Sequence, residues 1–307
     1  MAACESASFS SIPGFKSGFI VLAGKPNTGK STLLNALVGV KLAAVSVKPQ
    51  TTRVRVQGVL TRENAQFVFI DTPGIHYPSS RLHHQMMAAV TEAISGVDLV
   101  LLVVDVSKPR GEEDRLAVEA VKCCGRKSFL VLNKIDLIAK ERLLPLIDAY
   151  RQEHAFAEFI PISALRRENL DRLEQSLFEH LPQGPRYFPA DYLTDQPERF
   201  WAGEIIREKI FSETRQEVPY ATAVVIDKFE DSNRLVRIQA TIFVDREGQK
   251  AILIGTRGHQ LKKIGRLARE ELEVLLGRKI YLELYVKHQP KWQDHSAVAG
   301  LIDWRAG

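Results

Sequence analysis

The first half of the chain alternates short apolar runs with amphipathic stretches. The runs are FIVLAG (19–24), FVFID (67–71), LVLLVVD (99–105) and FLVLN (129–133). Each is rich in β-formers and is followed by turn residues and a longer helical stretch. Strands apolar throughout, alternating with helices, predict an α/β domain with a mostly parallel sheet covered on both faces. Such sheets bind ligands at the carboxyl ends of their strands. Here those ends carry Gly24, Asp71, Asp105 and Asn133.

A different pattern begins at Glu204. EIIREKIF (204–211) reads as helix, and YATAVVIDKFE (220–230) and RLVRIQATIFVDR (234–246) alternate as paired strands. QKAILIG (249–255) reads as a short helix. Residues 261–276 put Leu261, Ile264, Leu267, Leu272 and Leu275 on one face of an amphipathic helix, and KIYLELYVKH (279–288) alternates as a last strand. The order α-β-β-α-α-β predicts an α+β domain. Between the two patterns, LPQGPRYFPADYLTDQP (181–197) holds four prolines and no sustained period, which marks a boundary. The expected division is a tail over 1–16, a first domain over 17–184, a Pro-rich linker over 185–203, a second domain over 204–290 and a tail over 291–307.

Composition narrows the class. The chain has 307 residues, 45% hydrophobic and 26% charged, which excludes a disordered, collagen-like or disulfide-scaffold chain. Cys4, Cys123 and Cys124 are odd in number and two are adjacent, so a reducing compartment is expected. The most apolar stretch, 97–106, contains Asp98 and Asp105 and falls short of the roughly 20 residues of a bilayer span. The N-terminus has no basic region leading into an apolar core, which argues against a secretory leader; its serines leave an organellar address as a minor alternative. The net charge of +5 matters only through its placement. Residues 255–269 hold Arg257, Lys262, Lys263, Arg266 and Arg269 and no acid.

Gly24-Lys25-Pro26-Asn27-Thr28-Gly29-Lys30-Ser31 is G-x-x-x-x-G-K-S between a strand and a helix, the context that defines a phosphate-binding loop. Its backbone N–H groups and the helix N-terminus suit phosphate oxygens. Lys30 is expected on the β- and γ-phosphates, and the Ser31 hydroxyl on Mg²⁺. Asn133-Lys134-Ile135-Asp136 chooses the base. A carboxylate at Asp136 accepts from N1–H and the 2-amino group of guanine; adenine offers neither. A site built to pair a group rejects a base lacking it by ~10⁴-fold in favourable cases. The Lys134 stem can cover the purine, and Ser163-Ala164-Leu165 offers backbone N–H groups to guanine O6. Asp71-Thr72-Pro73-Gly74 would hold Mg²⁺ through water at Asp71 and meet the γ-phosphate with the Gly74 N–H. In Gln50-Thr51-Thr52-Arg53, Thr52 is the first candidate to close on Mg²⁺ and Thr51 the second. Both segments would be ordered by the γ-phosphate and released after hydrolysis. Lys30, Thr52, Asp71, Gly74 and Asn27 form the expected catalytic set. Ile75 stands where a water-orienting glutamine would fall in Ras, and it has no hydrogen-bonding group. His76 follows as a switch element with no assigned catalytic role.

Taken in order, GKPNTGKS, QTTR, DTPG, NKID and SAL are similar to the Era-like group of GTPases. Gly255-Thr256-Arg257-Gly258 between two helices, inside the order α-β-β-α-α-β, resembles a type II KH domain, whose GxxG loop clamps about four nucleotides of RNA backbone. Lys262, Lys263 and Arg266 would add phosphate contacts. The resemblance spans about residues 17–290. It implies binding near the 3′ end of 16S rRNA, a role in rRNA processing and 30S subunit biogenesis, and slow intrinsic hydrolysis. It also implies a cytoplasmic monomer with weak peripheral attachment to the inner face of the cell membrane. In related GTPases with a hydrophobic residue at the Ile75 position, the asparagine matching Asn27 helps hold K⁺. Two rival readings remain: a tRNA-modifying or signalling GTPase whose basic helix is merely solvated, and an RNA-binding protein that binds GTP but barely hydrolyses it.

Overall fold

The computed structural model describes residues 14–46, 52–78, 80–214, 218–232 and 234–294. By their internal contacts they fall into two units. The first comprises the chain up to Lys41, Arg55–His76 and Ala89–Asp195. The second comprises Leu42–Val54, Tyr77–Ala88 and the chain from Gln196 onward.

In the first unit six strands form one sheet in the order β2-β3-β1-β4-β5-β6. They are β1 (Lys16–Ala23), β2 (Val56–Thr61), β3 (Ala65–Asp71), β4 (Leu99–Asp105), β5 (Ser128–Asn133) and β6 (Glu158–Ile162). All pairings are parallel except β2 on β3. The expected apolar strands are the buried ones: every residue of β4 and β5 is buried. The antiparallel strand β2 was not visible as an apolar run. Val56, Val59 and Leu60 are interrupted by Gln57 and Gly58, and the strand is fixed by its pairing with β3. The topology reverses direction at β1, with β3 on one side and β4 on the other. That places the loops after β1, β3, β4, β5 and β6 along one rim. The helices are α1 (Lys30–Val38), α2 (Arg81–Ser95), whose residues up to Ala88 are counted with the second unit, α3 (Glu112–Cys123), α4 (Leu143–Arg151) and α5 (Leu170–His180). Helix α3 opens at Gly111 with Glu112, Glu113 and Asp114 in its first turn, where negative charge complements the helix dipole.

The expected boundaries shift in several places. Phe15 is buried and Lys16 already opens β1, so the first unit includes residues of the expected tail. Residues of the expected linker lie along the first unit as a strap. The Ser17 hydroxyl donates to the Pro185 carbonyl, Phe188 N–H to Gln66 Oε1, and Val59 N–H to the Leu193 carbonyl. Prolines there remove ladder donors, and the strap uses isolated bonds instead. Helix α6 (Glu198–Glu213) starts six residues earlier than expected, right after Pro197.

The second unit contains α6, β7 (Thr222–Ser232), β8 (Leu235–Val244), α7 (Glu247–Ile254), α8 (His259–Leu276) and β9 (Lys279–His288). The order α-β-β-α-α-β is the expected one. Strand β8 lies between an antiparallel β7 and a parallel β9. Every second residue of β8, from Val236 to Val244, is buried, so one sheet face carries the helices. Ile206 and Ile210 of α6 and Ile264, Ala268 and Leu272 of α8 fill that core.

A second, smaller cluster in this unit contains Leu82, Met86, Ala223 and Trp292. Trp292 falls in the expected C-terminal tail, yet it is fully buried and donates from Nε1 to the Ala221 carbonyl at 2.7 Å. Trp304 lies outside the described residues. The Arg53 guanidinium sits 5.3 Å from the Trp292 ring and donates to the Thr222 carbonyl at 2.7 Å. Arg53 is thus a structural tie of the second unit.

Candidate functional site

The loop from Gly24 to Lys30 follows β1, and α1 begins at Lys30. Lys30 is buried and donates from Nζ to the carbonyls of Gly24 and Lys25, each at 3.0 Å. Burial pushes its pKa down to about 8, against an opposing pull from Asp71. Thr28 is fully buried and donates to the Lys25 carbonyl at 3.2 Å. Asn27 takes a left-handed backbone, φ 63°. Gly29 also has positive φ, and a Cβ there would collide with the Asn133 amide. That glycine is required because the base loop presses directly on the phosphate loop.

Asn133, at the end of β5, is the junction. Its Nδ2 donates to the Thr28 carbonyl at 2.8 Å, and its Oδ1 accepts from the Lys134 and Ala164 N–H groups at 2.9 and 3.0 Å. One buried amide therefore ties the phosphate loop, the Lys134-Ile135-Asp136 turn and the loop after β6. Lys134 has φ 69° and Ile135–Leu137 form a single 3-10 turn. The Asp136 side chain is 5% exposed, with Arg166 Nε at 3.5 Å. Ser163 is fully buried, Ala164 nearly so, and Leu165 is exposed. Ser163 accepts on Oγ from the Arg166 N–H.

Asp71 closes β3, fully buried. The Ser31 hydroxyl donates to its Oδ2 at 2.6 Å. Thr72 is anchored by its hydroxyl to the Leu22 carbonyl, and the Ile75 N–H donates to the Gly24 carbonyl. A Cβ on Gly74 would come within 2.6 Å of Pro26 N, so only glycine lets Asp71-Thr72-Pro73-Gly74 approach the phosphate loop this closely. Ile75 is buried and apolar. His76 is buried too, with Nδ1 2.7 Å from the Gly74 carbonyl, which puts the ring proton on Nδ1. Gln50 and Thr51 lie outside the described residues. Thr52 is half-buried and belongs to the second unit.

The motifs did not include Asp114. It is 4% exposed, accepts from Lys25 Nζ at 2.6 Å and caps its own helix by accepting from the Gly111 N–H at 2.8 Å. The phosphate loop is thereby braced against α3. A sequence cue existed only in retrospect: an acid in the first turn of a helix that starts after a central strand.

In the second unit Gly255 and Gly258 both have positive φ, and Arg257 between them takes φ 52°. A Cβ on Gly255 would come within 2.6 Å of the Gln260 side chain, so the tight entry into α8 requires glycine. Thr256 and Arg257 are exposed. Beside the loop a groove of about 860 Å³ runs between α8 and β9. Leu261, Leu282 and Leu284 line it, and Lys262, Lys263, Arg266 and Arg269 rim it. The expected basic face therefore borders an apolar floor. Its charge is partly answered, however: Lys263 pairs with Glu213 at 2.6 Å and Arg266 with Glu270 at 3.3 Å. Glu213 comes from α6, outside the stretch whose charge the sequence tallied.

Comparison with known proteins agrees with both halves. Residues 19–134 match the family model described as 50S ribosome-binding GTPase, and residues 217–293 match that of the KH domain. GTPase Era of Syntrophus aciditrophicus is 52% identical over 280 residues, covering 91% of this chain and 92% of that one. GTPase Era of Geobacter metallireducens is 49% identical, covering 91% and 95%. A variant of Aquifex aeolicus Era bound to GDP and AlF4⁻ superposes with a TM-score of 0.90 at 40% identity, covering 94% of this chain and 99% of that one. Era in complex with MgGDPNP and nucleotides 1506–1542 of 16S ribosomal RNA gives 0.90 at 41% identity, covering 94% and 98%. With identity near one half along nine-tenths of its length, and a GTPase site and a KH domain in the right order, the chain belongs to the Era family of GTPases.

Proposed function

We propose that the protein couples GTP binding and hydrolysis to recognition of 16S rRNA near its 3′ end, and acts in rRNA processing and 30S subunit biogenesis. The observation that carries this reading is the Asn133 junction, which binds the phosphate and base loops into one site in a chain that also carries a KH domain. The relative solved with nucleotides 1506–1542 of 16S rRNA supports the choice of RNA.

The roles follow from chemistry. The N–H groups of the loop from Gly24 through Gly29 face the phosphates, and Lys30 exchanges two loop carbonyls for β- and γ-phosphate oxygens. Ser31 and Asp71 offer a hydroxyl and a carboxylate 2.6 Å apart, hard oxygen donors that fit Mg²⁺. Bound there, the ion would neutralise charge on the β- and γ-phosphate oxygens. Thr52 joins Ser31 and Asp71 when the γ-phosphate is present, and Gly74 meets that phosphate with its N–H. Asp136 reads guanine, Lys134 covers the ring, and the Ala164 loop faces O6. In the KH domain Gly255, Thr256, Arg257 and Gly258 clamp the RNA backbone, while Lys262, Lys263 and Arg266 hold phosphates. The Era resemblance is the ground for placing the protein in the cytoplasm as a monomer with weak peripheral membrane attachment. Among the described residues no helix is long and apolar enough to cross a membrane.

Ile75 cannot orient water, so intrinsic hydrolysis is slow, and K⁺ held with Asn27, or the ribosome, supplies what is missing. Turnover is then faster in K⁺ than in Na⁺, and Asn27→Ala removes the difference. Equal turnover in both salts, unchanged by the substitution, refutes the potassium role. For the RNA, crosslinking and sequencing in the GTP and GDP states is expected to recover the 3′ end of 16S rRNA, lost in Gly258→Asp. Recovery of the same RNA from Gly258→Asp removes the KH reading.

A further inference from the structure

The loop after β4 belongs to none of the nucleotide motifs, yet β4 ends in a carboxylate aimed at one of them. Asp105 closes β4 directly opposite Asn133 of β5 in the parallel register. Its side chain is 1% exposed, and its Oδ2 accepts from Lys134 Nζ at 2.6 Å. Its Oδ1 accepts from both the N–H and the hydroxyl of Ser107. A buried carboxylate is costly unless its lone pairs are filled by donors, and here they are. Burial alone would raise its pKa; the Lys134 ammonium and the Ser107 donors outweigh burial and hold the carboxyl below its usual range.

The same Lys134 ammonium donates to the Asn27 carbonyl at 2.8 Å. Asn27 and Lys134 are both non-glycine residues in the left-handed region, a conformation that persists only when the surroundings over-determine it. One ammonium, fixed by one carboxylate, therefore ties two strained turns together. The stem between the Lys134 backbone and that ammonium is the part expected to cover the purine. An untethered lysine stem would sample many rotamers and lose that entropy on each binding event.

We propose that Asp105 is a positioning residue of the guanine site. It pre-sets the Lys134 stem against the purine face, and Ser107 pre-sets Asp105. The inference rests on the guanine-site reading above. It concerns how tightly and how long guanine nucleotides are held, because Asp136 makes the choice of base.

The test is a double-mutant cycle on the full-length protein, following release of a fluorescent GDP. Asp105→Asn keeps size and shape and removes the charge. It should accelerate release about 10-fold, the worth of one charge-assisted hydrogen bond. Lys134→Met should accelerate release on its own. Adding Asp105→Asn to Lys134→Met should then change nothing further, since the carboxylate acts through the ammonium. A merely structural Asp105 would add its full effect in the Lys134→Met background, and that result overturns the proposal. Ser107→Ala keeps the carboxylate and should accelerate release by a smaller factor, again silent beside Lys134→Met. If Asp105→Asn does not fold, Ser107→Ala decides: release unchanged in that variant refutes the proposal. If Lys134→Met itself leaves release unchanged, the role of Lys134 fails and the proposal with it, whereas failure of the guanine-site reading is seen separately, as ADP competing as well as GDP for the wild-type protein.

Discussion

Lys30 carries a pH signature. Its buried ammonium has a pKa near 8 before phosphate arrives. The nucleotide phosphates bind the protonated form, so the binding constant should be level below about pH 7.5 and fall towards tenfold per unit once pH rises past 8. The sign follows from the direction of the shift: burial lowers the pKa, and anionic phosphate raises it again. Titration calorimetry with GDP between about pH 6.5 and 9 checks this, and a flat profile refutes it. Asp136 sets the base. Asp136→Asn replaces an acceptor with a group that also donates, so the variant should lose guanine nucleotides by at least ~10²-fold and gain xanthine nucleotides, whose C2 carries an oxygen. Competition binding with GDP and XDP measures the exchange. These residues were legible because their chemistry is local to a motif. Asp114 was not, and Asp105 stood out only as a strand end, because each acts on a lysine distant in sequence.

At the scale of elements, strands and helices with clean periodicity stood out, and those held by a neighbour did not. Strands β4 and β5 are buried on both faces and read as unbroken apolar runs. Strand β2 pairs at the sheet edge with β3 alone, so its sequence is free to carry Gln57 and Gly58. The turn around Trp292 is the sharper case. A tryptophan after the last strand reads equally as an exposed anchor or a cap, and the structure makes it a cap, fully buried against Ala223, Leu82 and Met86. Trp292→Ala should therefore destabilise the second unit by about 3–5 kcal/mol, the cost of emptying a large aromatic site. Urea unfolding followed by circular dichroism measures it, and a drop below about 1 kcal/mol contradicts the packing. Arg53→Met keeps some of the stem packing but abandons the Thr222 carbonyl and the cation–ring attraction. It should cost about 1–3 kcal/mol in the same assay.

For the whole molecule, the basic excess is a surface feature of one unit. Its predicted consequence is salt-sensitive RNA binding. Replacing Lys262 and Lys263 with alanine should flatten the dependence of log affinity on log salt by about 1.4, near 0.7 for each single-strand phosphate that a lysine no longer neutralises. GTP affinity should stay unchanged. The structure refines the split between the two lysines: Lys263 already has Glu213 as partner, so Lys262→Ala alone should produce the larger part. Filter binding across a salt series separates the single variants. An unchanged slope in the double variant would place the RNA elsewhere.

The amino-acid sequence by itself determined the two architectures, their order along the chain, and the phosphate, guanine and GxxG motifs. Each of these is written within a few consecutive residues or in a period of two or about 3.6, so each survives without knowledge of neighbours. Tertiary structure alone decided which segments belong together. Leu42–Val54 and Tyr77–Ala88 group with the later part of the chain. It also decided that the Pro-rich segment is a strap on the first unit, that Trp292 is core, and that Asp105 and Asp114 hold the lysines of the nucleotide loops. The two carboxylates pair with their lysines across 29 and 89 residues. A side chain's partner at such a separation is set by strand register and helix placement, and no local pattern encodes it.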